Sequence, residues 1–170
     1  MLLDNKGIHI LVPIVFALIL NFIIFIKKWE DTRKNTLLPS GPYVGLIWMI
    51  IFVSLGNAHY LLYKKSKVTF ASLFLIGVML FCISYPIITQ LDRKKGVIMN
   101  VIAFILTSIL LLFVYQESIE AFIYILPLFV WISYVNYSDA VVCSGAFKIK
   151  SNKPKVKRKK NDNSPKIIVL

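Results

Sequence analysis

Residues 39–63 read PSGPYVGLIWMIIFVSLGNAHYLLY, a proline-punctuated start followed by an unbroken apolar run. Ser40 is suited to cap a helix, and Pro42 in the first turn needs no backbone donor, so a helix is expected to begin cleanly here. Gly41 and Gly45 leave the opening turns without bulk, which lets a flat ligand or a second helix approach the backbone. Trp48 lies about one turn further in, and Tyr60 and Tyr63 mark the far end. About 20 such residues cross roughly 30 Å of hydrocarbon as a helix. The stretch therefore reads as a membrane span.

Working outward, the same reading applies to four more runs. The five spans are expected at 8–26, 41–63, 68–90, 96–115 and 121–142. Hydrophobic residues make up 58% of the 170, and mean hydropathy is +0.74, more apolar side chain than one water-soluble core hides. Backbone in lipid must satisfy its own hydrogen bonds, and the runs lack the alternation of barrel strands. The fold class that follows is an all-α integral membrane protein, a bundle of five transmembrane helices. The connections at 64–67, 91–95 and 116–120 are short, so consecutive helices are expected to be antiparallel neighbours. The first run meets KKWEDTRK rather than a small-residue cleavage site, and is longer than a signal-peptide core of about 7–15 residues. It is expected to be retained.

The formal charge is +12, but the basic residues lie between and after the apolar runs. That placement suits topology and lipid headgroups, and nucleic acid is not an expected partner. Lys6, Lys64, Lys65 and Lys67 fall on one side of a five-span arrangement. Lys27, Lys28, Arg33, Lys34, Arg93, Lys94, Lys95 and the basic residues after 147 fall on the other. The richer side, with the C-terminus, is expected in the cytosol.

Residues 1–147 are thus expected to form the membrane domain. Residues 148–170, KIKSNKPKVKRKKNDNSPKIIVL, carry nine basic residues, one acid and two prolines. Such a segment buries too little apolar surface to order itself, and is expected to be a disordered cytosolic tail that lies on anionic lipid. Its PKVKRKK run also resembles a nuclear-localisation or RNA-binding sequence.

No HExxH, GxSxG, phosphate-binding loop or His/Cys cluster appears, so hydrolase, NTPase and metal-site chemistry have no residues to stand on. No catalytic residue, metal ligand or required cofactor is assigned. Cys82 and Cys143 read as packing residues. His59 reads as a neutral interfacial imidazole. Asp139 reads as a carboxylate that snorkels to water or pairs with a lysine, with a proton relay as the alternative. Trp48, Trp131 and Tyr134 fit an interfacial aromatic belt as well as they fit a binding site.

Two stretches resemble a known family. Residues 126–142, LPLFVWISYVNYSDAVV, resemble the LPYLAWVSFATYLNASI pattern of the TspO/MBR family, the tryptophan-rich sensory and translocator proteins. Leu126, Pro127, Trp131, Ser133, Tyr137 and Ala140 are shared, Tyr134 replaces a Phe, and Asp139 replaces an Asn. The opening stretch resembles PPGWVFGPVWTILYTLMG, sharing Pro39, Gly41, Gly45, Trp48 and Gly56, with Phe52 for a Tyr. Pro86, Gly96 and Ala121 also fall in register, and the resemblance covers about residues 8–147.

The resemblance implies a membrane translocator or receptor-like protein that binds a tetrapyrrole, porphyrin or haem, between its helices. Carried over by position, the ligand-binding residues are Val44, Gly45, Ile47 and Trp48 from the second span and Trp131, Val135 and Ser138 from the fifth. A porphyrin is a flat aromatic plate, on which indole faces stack while small residues leave room. Sequestration, transport and breakdown all fit. The chain is not expected to be an enzyme, except that some bacterial relatives are linked to light-dependent porphyrin degradation. Many relatives are homodimers, and Ser72, Gly77 and Ser84 supply small residues for such packing or for packing within one chain. In a eukaryotic cell the resemblance implies a mitochondrial membrane.

The departures are specific. Ser40, Pro42 and Leu46 replace a Pro, a Trp and a Pro of the family pattern, and Gly77, Phe81 and Ser84 replace a Gln, an Asn and a Trp. Animal relatives carry a cholesterol signature late in span five. Ala140 stands at its Tyr position and no basic residue follows Tyr137 within five positions, which disfavours cholesterol, although LLYKK at 61–65 fits the loose pattern. A membrane interaction module with a degenerate pocket, acting through the basic tail and a helix-packed dimer, is the alternative function.

Overall fold

The computed structural model describes residues 5–26, 37–39, 41–91 and 93–143. The tail at 148–170, and the capping role of Ser40, lie outside them. Five helices follow one another: α1 (Lys6–Ile26), α2 (Gly41–Ser66), α3 (Phe70–Leu91), α4 (Arg93–Glu117) and α5 (Ile119–Cys143). Each begins or ends within a few residues of the run that predicted it. The windows Tyr43–Ser66, Lys95–Glu117 and Ile119–Val142 are long and apolar enough to cross a membrane, and Lys6–Ile19 and Phe70–Tyr85 are shorter apolar helical stretches.

The turns explain why the helices stop where they do. Lys67 adopts a left-handed φ of 51° and its amide donates to the Tyr63 carbonyl at 2.7 Å, closing α2. Thr69 and Ser72 then cap α3 reciprocally: the Ser72 amide donates to Thr69 Oγ1 at 3.1 Å and the Thr69 amide to Ser72 Oγ at 3.0 Å. Ser118 separates α4 from α5 and accepts the Ala121 amide on its hydroxyl at 3.2 Å. The two turns are tied together, because Thr69 Oγ1 donates to Glu117 Oε2 at 2.8 Å and Lys65 Nζ donates to the Glu117 carbonyl. Ser72, one of the small residues suited to a dimer face, is thereby spent within the chain. Gly77 is exposed, with open space where a Cβ would stand.

The helices do not pack simply in chain order. α2 contacts α1 and α5 extensively and α3 much less, while α3 and α5 both lie against α4. The order around the bundle is therefore α1, α2, α5, α4, α3, with α1 touching α3 only lightly. Leu55, Leu62, Leu75, Leu110, Ile125 and Leu128 are fully buried at the centre. Leu46, Leu73, Leu80, Leu112 and Val130 are more than half exposed on the outside. That inversion of a water-soluble surface is what lipid solvation selects.

Two close approaches fix α2 against its neighbours. A Cβ on Gly56 would stand 2.6 Å from the His9 carbonyl oxygen and 2.8 Å from Ile10 Cα, so α1 and α2 meet backbone to backbone. Pro13 cannot donate the helical bond that the His9 carbonyl would otherwise receive, and the α2 backbone packs at that point of α1. Opposite, Ser54 Oγ donates to the Tyr124 carbonyl at 2.7 Å, beside the Ile123 carbonyl that Pro127 leaves without its usual donor.

Candidate functional site

Antiparallel packing brings the first turns of α2 and α4 level with the last turns of α3 and α5. A cavity of about 110 Å³ lies at that end of the bundle. Four helices line it with residues one turn apart. Val44 and Trp48 come from α2, Phe81, Cys82 and Tyr85 from α3, Asn100 and Ala103 from α4, and Trp131, Ile132 and Val135 from α5. Leu38 and Pro39 close its edge, and no α1 residue among those whose side chains are described lines it.

Four of the residues expected from sequence, Val44, Trp48, Trp131 and Val135, meet in this one cavity. Three others do not line it. Gly45 faces open space, Ile47 packs half-buried against the core, and Ser138 is fully buried on α5 one turn beyond Val135. The contributions of α3 and α4 were not anticipated. Phe81 was read as the loss of a polar contact and Cys82 as packing, and Asn100 was not singled out. A polar residue one turn from Ala103 within an apolar helix was the available signal.

The aromatic walls are braced from behind. The Trp48 ring stacks on Phe52, with centroids 5.7 Å apart and an interplanar angle of 30°. Trp131 is buried and leans on Tyr134 at 5.9 Å and 36°. Tyr134 Oη in turn donates to the Leu37 carbonyl, so the segment that edges the cavity is fastened to α5. Aromatic pairs of this geometry contribute about 0.5–1.5 kcal/mol beyond their area.

The polar part of the wall is built on α4 and α5. Asn100 Nδ2 donates to Asp139 Oδ2 at 2.6 Å, and both residues are buried. Asn136 Nδ2 donates to the Asn100 backbone carbonyl at 3.0 Å and to the Ile132 carbonyl at 2.9 Å. Asp139 is thus buried rather than snorkelling, and it holds an amide that borders the cavity. A carboxamide has donor and acceptor sites beyond the one bond given to Asp139. The cavity therefore combines indole faces, a phenol from Tyr85 and one oriented amide, a chemistry for flat aromatic ligands with a few polar atoms.

His59 has a partner that the sequence did not reveal. Its Nδ1 lies 2.7 Å from Nδ1 of His9, a buried residue 50 positions away. The two rings, with Tyr60 and Tyr63 around His9, sit toward the other end of the bundle, away from the cavity. Among the described residues no group of three or more His, Cys, Asp or Glu side chains is placed to hold a metal ion.

Neither a curated protein nor a solved structure matches the chain. The family model for the TspO/MBR family matches residues 9–143, which takes in all of α2 to α5 and all but the first turn of α1. With five helices, an apolar exterior and that match over most of its length, the chain belongs to the TspO/MBR family, and is an integral, multi-pass membrane protein of the translocator or receptor-like kind.

Proposed function

We propose that the protein binds a tetrapyrrole, porphyrin or haem, in the cavity between α2, α3, α4 and α5, for sequestration, transport or breakdown, with its C-terminus in the cytosol. The observation that supports this reading is the convergence of Trp48 and Trp131, from helices far apart in sequence, on one cavity that also borders the Asn100 amide. Stacking on indole suits the ring system, and the amide suits a pyrrole nitrogen or a carboxyl oxygen. At about 110 Å³ the cavity is smaller than the roughly 300–1,000 Å³ usual for ligand pockets. The ligand must therefore widen it, and the Leu38–Pro39 edge is the part not anchored within a helix.

The test is quenching of tryptophan fluorescence by protoporphyrin on the purified full chain in detergent. A dissociation constant of about micromolar order is expected, rising roughly tenfold when Trp48→Phe and Trp131→Phe are combined. Equal porphyrin binding by parent and double variant, read from porphyrin absorbance, would remove the assignment of the cavity. No binding by the parent would leave the interaction-module reading, for which a pull-down comparing the full chain with one lacking 148–170 is decisive.

A further inference from the structure

A second cavity, about 230 Å³, runs between α1 and α3 on the lipid-facing side of the bundle, and the His9–His59 pair stands at one end of it. Its α1 wall is Ile8, His9, Val12, Pro13 and Phe16, and its α3 wall is Ile76, Met79, Leu80 and Ile83. From His9 and from Ile76 onward both follow the i, i+3, i+4, i+7 spacing of a single helix face. The two faces run side by side for seven residues, about 10 Å. They stay apart because α1 is drawn onto α2 at Gly56 and only grazes α3. Val12, Phe16 and Leu80 remain about half exposed along the rim, so the groove is open to the bilayer.

Its single polar feature lies at the depth where lipid headgroups meet chains. His59 is five residues, about 8 Å, inside Lys64, and Lys64, Lys65 and Lys67 are exposed at that end. The 2.7 Å separation requires one Nδ1 to donate and the other to accept. The Nε2 of His59, its other ring nitrogen, is consequently an acceptor when its own Nδ1 carries the bridging hydrogen and a donor when His9 supplies it. A carboxyl group has the same versatility: as an acid it donates, as an anion it accepts. Acid and imidazole thus match as hydrogen-bond donor and acceptor in either tautomer, with no proton leaving the acid.

We propose that this groove binds a single-chain fatty acid from the bilayer, its carboxyl group on His59 and its chain lying between α1 and α3. An apolar groove closed at the interface by a hydrogen-bonding imidazole pair fits an acid, and an ester of the same chain lacks the hydroxyl hydrogen to donate. Saturable binding of cis-parinaric acid by the full chain in phosphatidylcholine nanodiscs, over empty nanodiscs, is expected. Its methyl ester is expected to bind about tenfold more weakly, and His59→Gln to weaken the acid about tenfold while leaving the ester unchanged. Leu80→Trp, at an exposed position, fills the groove and is expected to abolish binding of both. Equal affinity for acid and ester, an unchanged acid affinity in His59→Gln, or no binding above empty nanodiscs overturns the proposal. If His59→Gln does not fold, photolabelling of the unaltered protein with a diazirine fatty acid decides: labels on α1 and α3 support the site, and labels on α4 and α5 refute it.

Discussion

Two glycines on α2 show how much depends on what faces a single Cα. Gly56 has the backbone of α1 where a side chain would begin, and backbone cannot swing aside as a rotamer can. Gly56→Ala is expected to part α1 from α2 and cost about 1–3 kcal/mol, measured as a lowered midpoint of unfolding in detergent. Gly45→Ala meets nothing within 4 Å and exchanges a poor helix former for the best, so stability is expected to hold or rise by up to about 1 kcal/mol in the same assay. From sequence Gly45 was the one expected to admit a ligand or a second helix, and Gly56 was only a position shared with the family. Nothing local placed the close approach at Gly56, because what decides it is the atom on the neighbouring helix. The same limit applies to His59 and Asp139, whose partners His9 and Asn100 lie 50 and 39 residues away. From sequence His59 was a neutral interfacial imidazole and Asp139 a carboxylate reaching for water or a lysine, and the structure adds to each a hydrogen-bond partner from a distant helix.

At the scale of the element, a hydrogen bond from Tyr134 on α5 to the Leu37 carbonyl ties the segment before α2 to the bundle. If ligand enters past Leu38 and Pro39, that bond must open first. Tyr134→Phe keeps the ring beside Trp131 and removes only the hydroxyl. Stopped-flow quenching by porphyrin is expected to show association about 2–10 times faster, as fits a bond worth about 0.5–1.5 kcal/mol, with the amplitude unchanged. An unchanged rate would mean that the ligand enters elsewhere. The helices themselves were legible because some 20 apolar residues in lipid leave the backbone few alternatives, and the turn residues Lys67, Thr69 and Ser118 closed them near the expected places. The lining of the cavity was half legible. Trp48 and Trp131 stood out by type and spacing, whereas Phe81, Cys82 and Ala103 belong to stripes that any buried helix face carries.

For the whole molecule, the distribution of basic residues makes a prediction of topology independent of any ligand. Trypsin is expected to remove the Lys-rich segment 148–170 from membrane vesicles whose cytosolic face is outward and to spare it in vesicles of the opposite sense, read as a mass shift of the intact chain. Cleavage in the reverse sense would place the C-terminus across the membrane. Short connections predicted antiparallel neighbours, but not that α2 lies beside α5 more fully than beside α3. Loop length limits how far the next helix travels, and says nothing about which distant helix completes the ring.

That ring order has a consequence for biogenesis. The contacts of α2 with α5 join residues about 70 positions apart, as Ser54 and Tyr124 are, and the bond between Tyr134 and Leu37 spans 97. α1 and α2 can pair as soon as both have left the ribosome, since they are adjacent in the chain and meet at Gly56. Trp48 must wait for α5, the last of the five described helices, before Trp131, Ile132 and Val135 complete the cavity. A nascent chain therefore exposes one flank of α2 to lipid until α5 is made, and a truncation before α5 leaves the cavity beside Trp48 without its α5 wall.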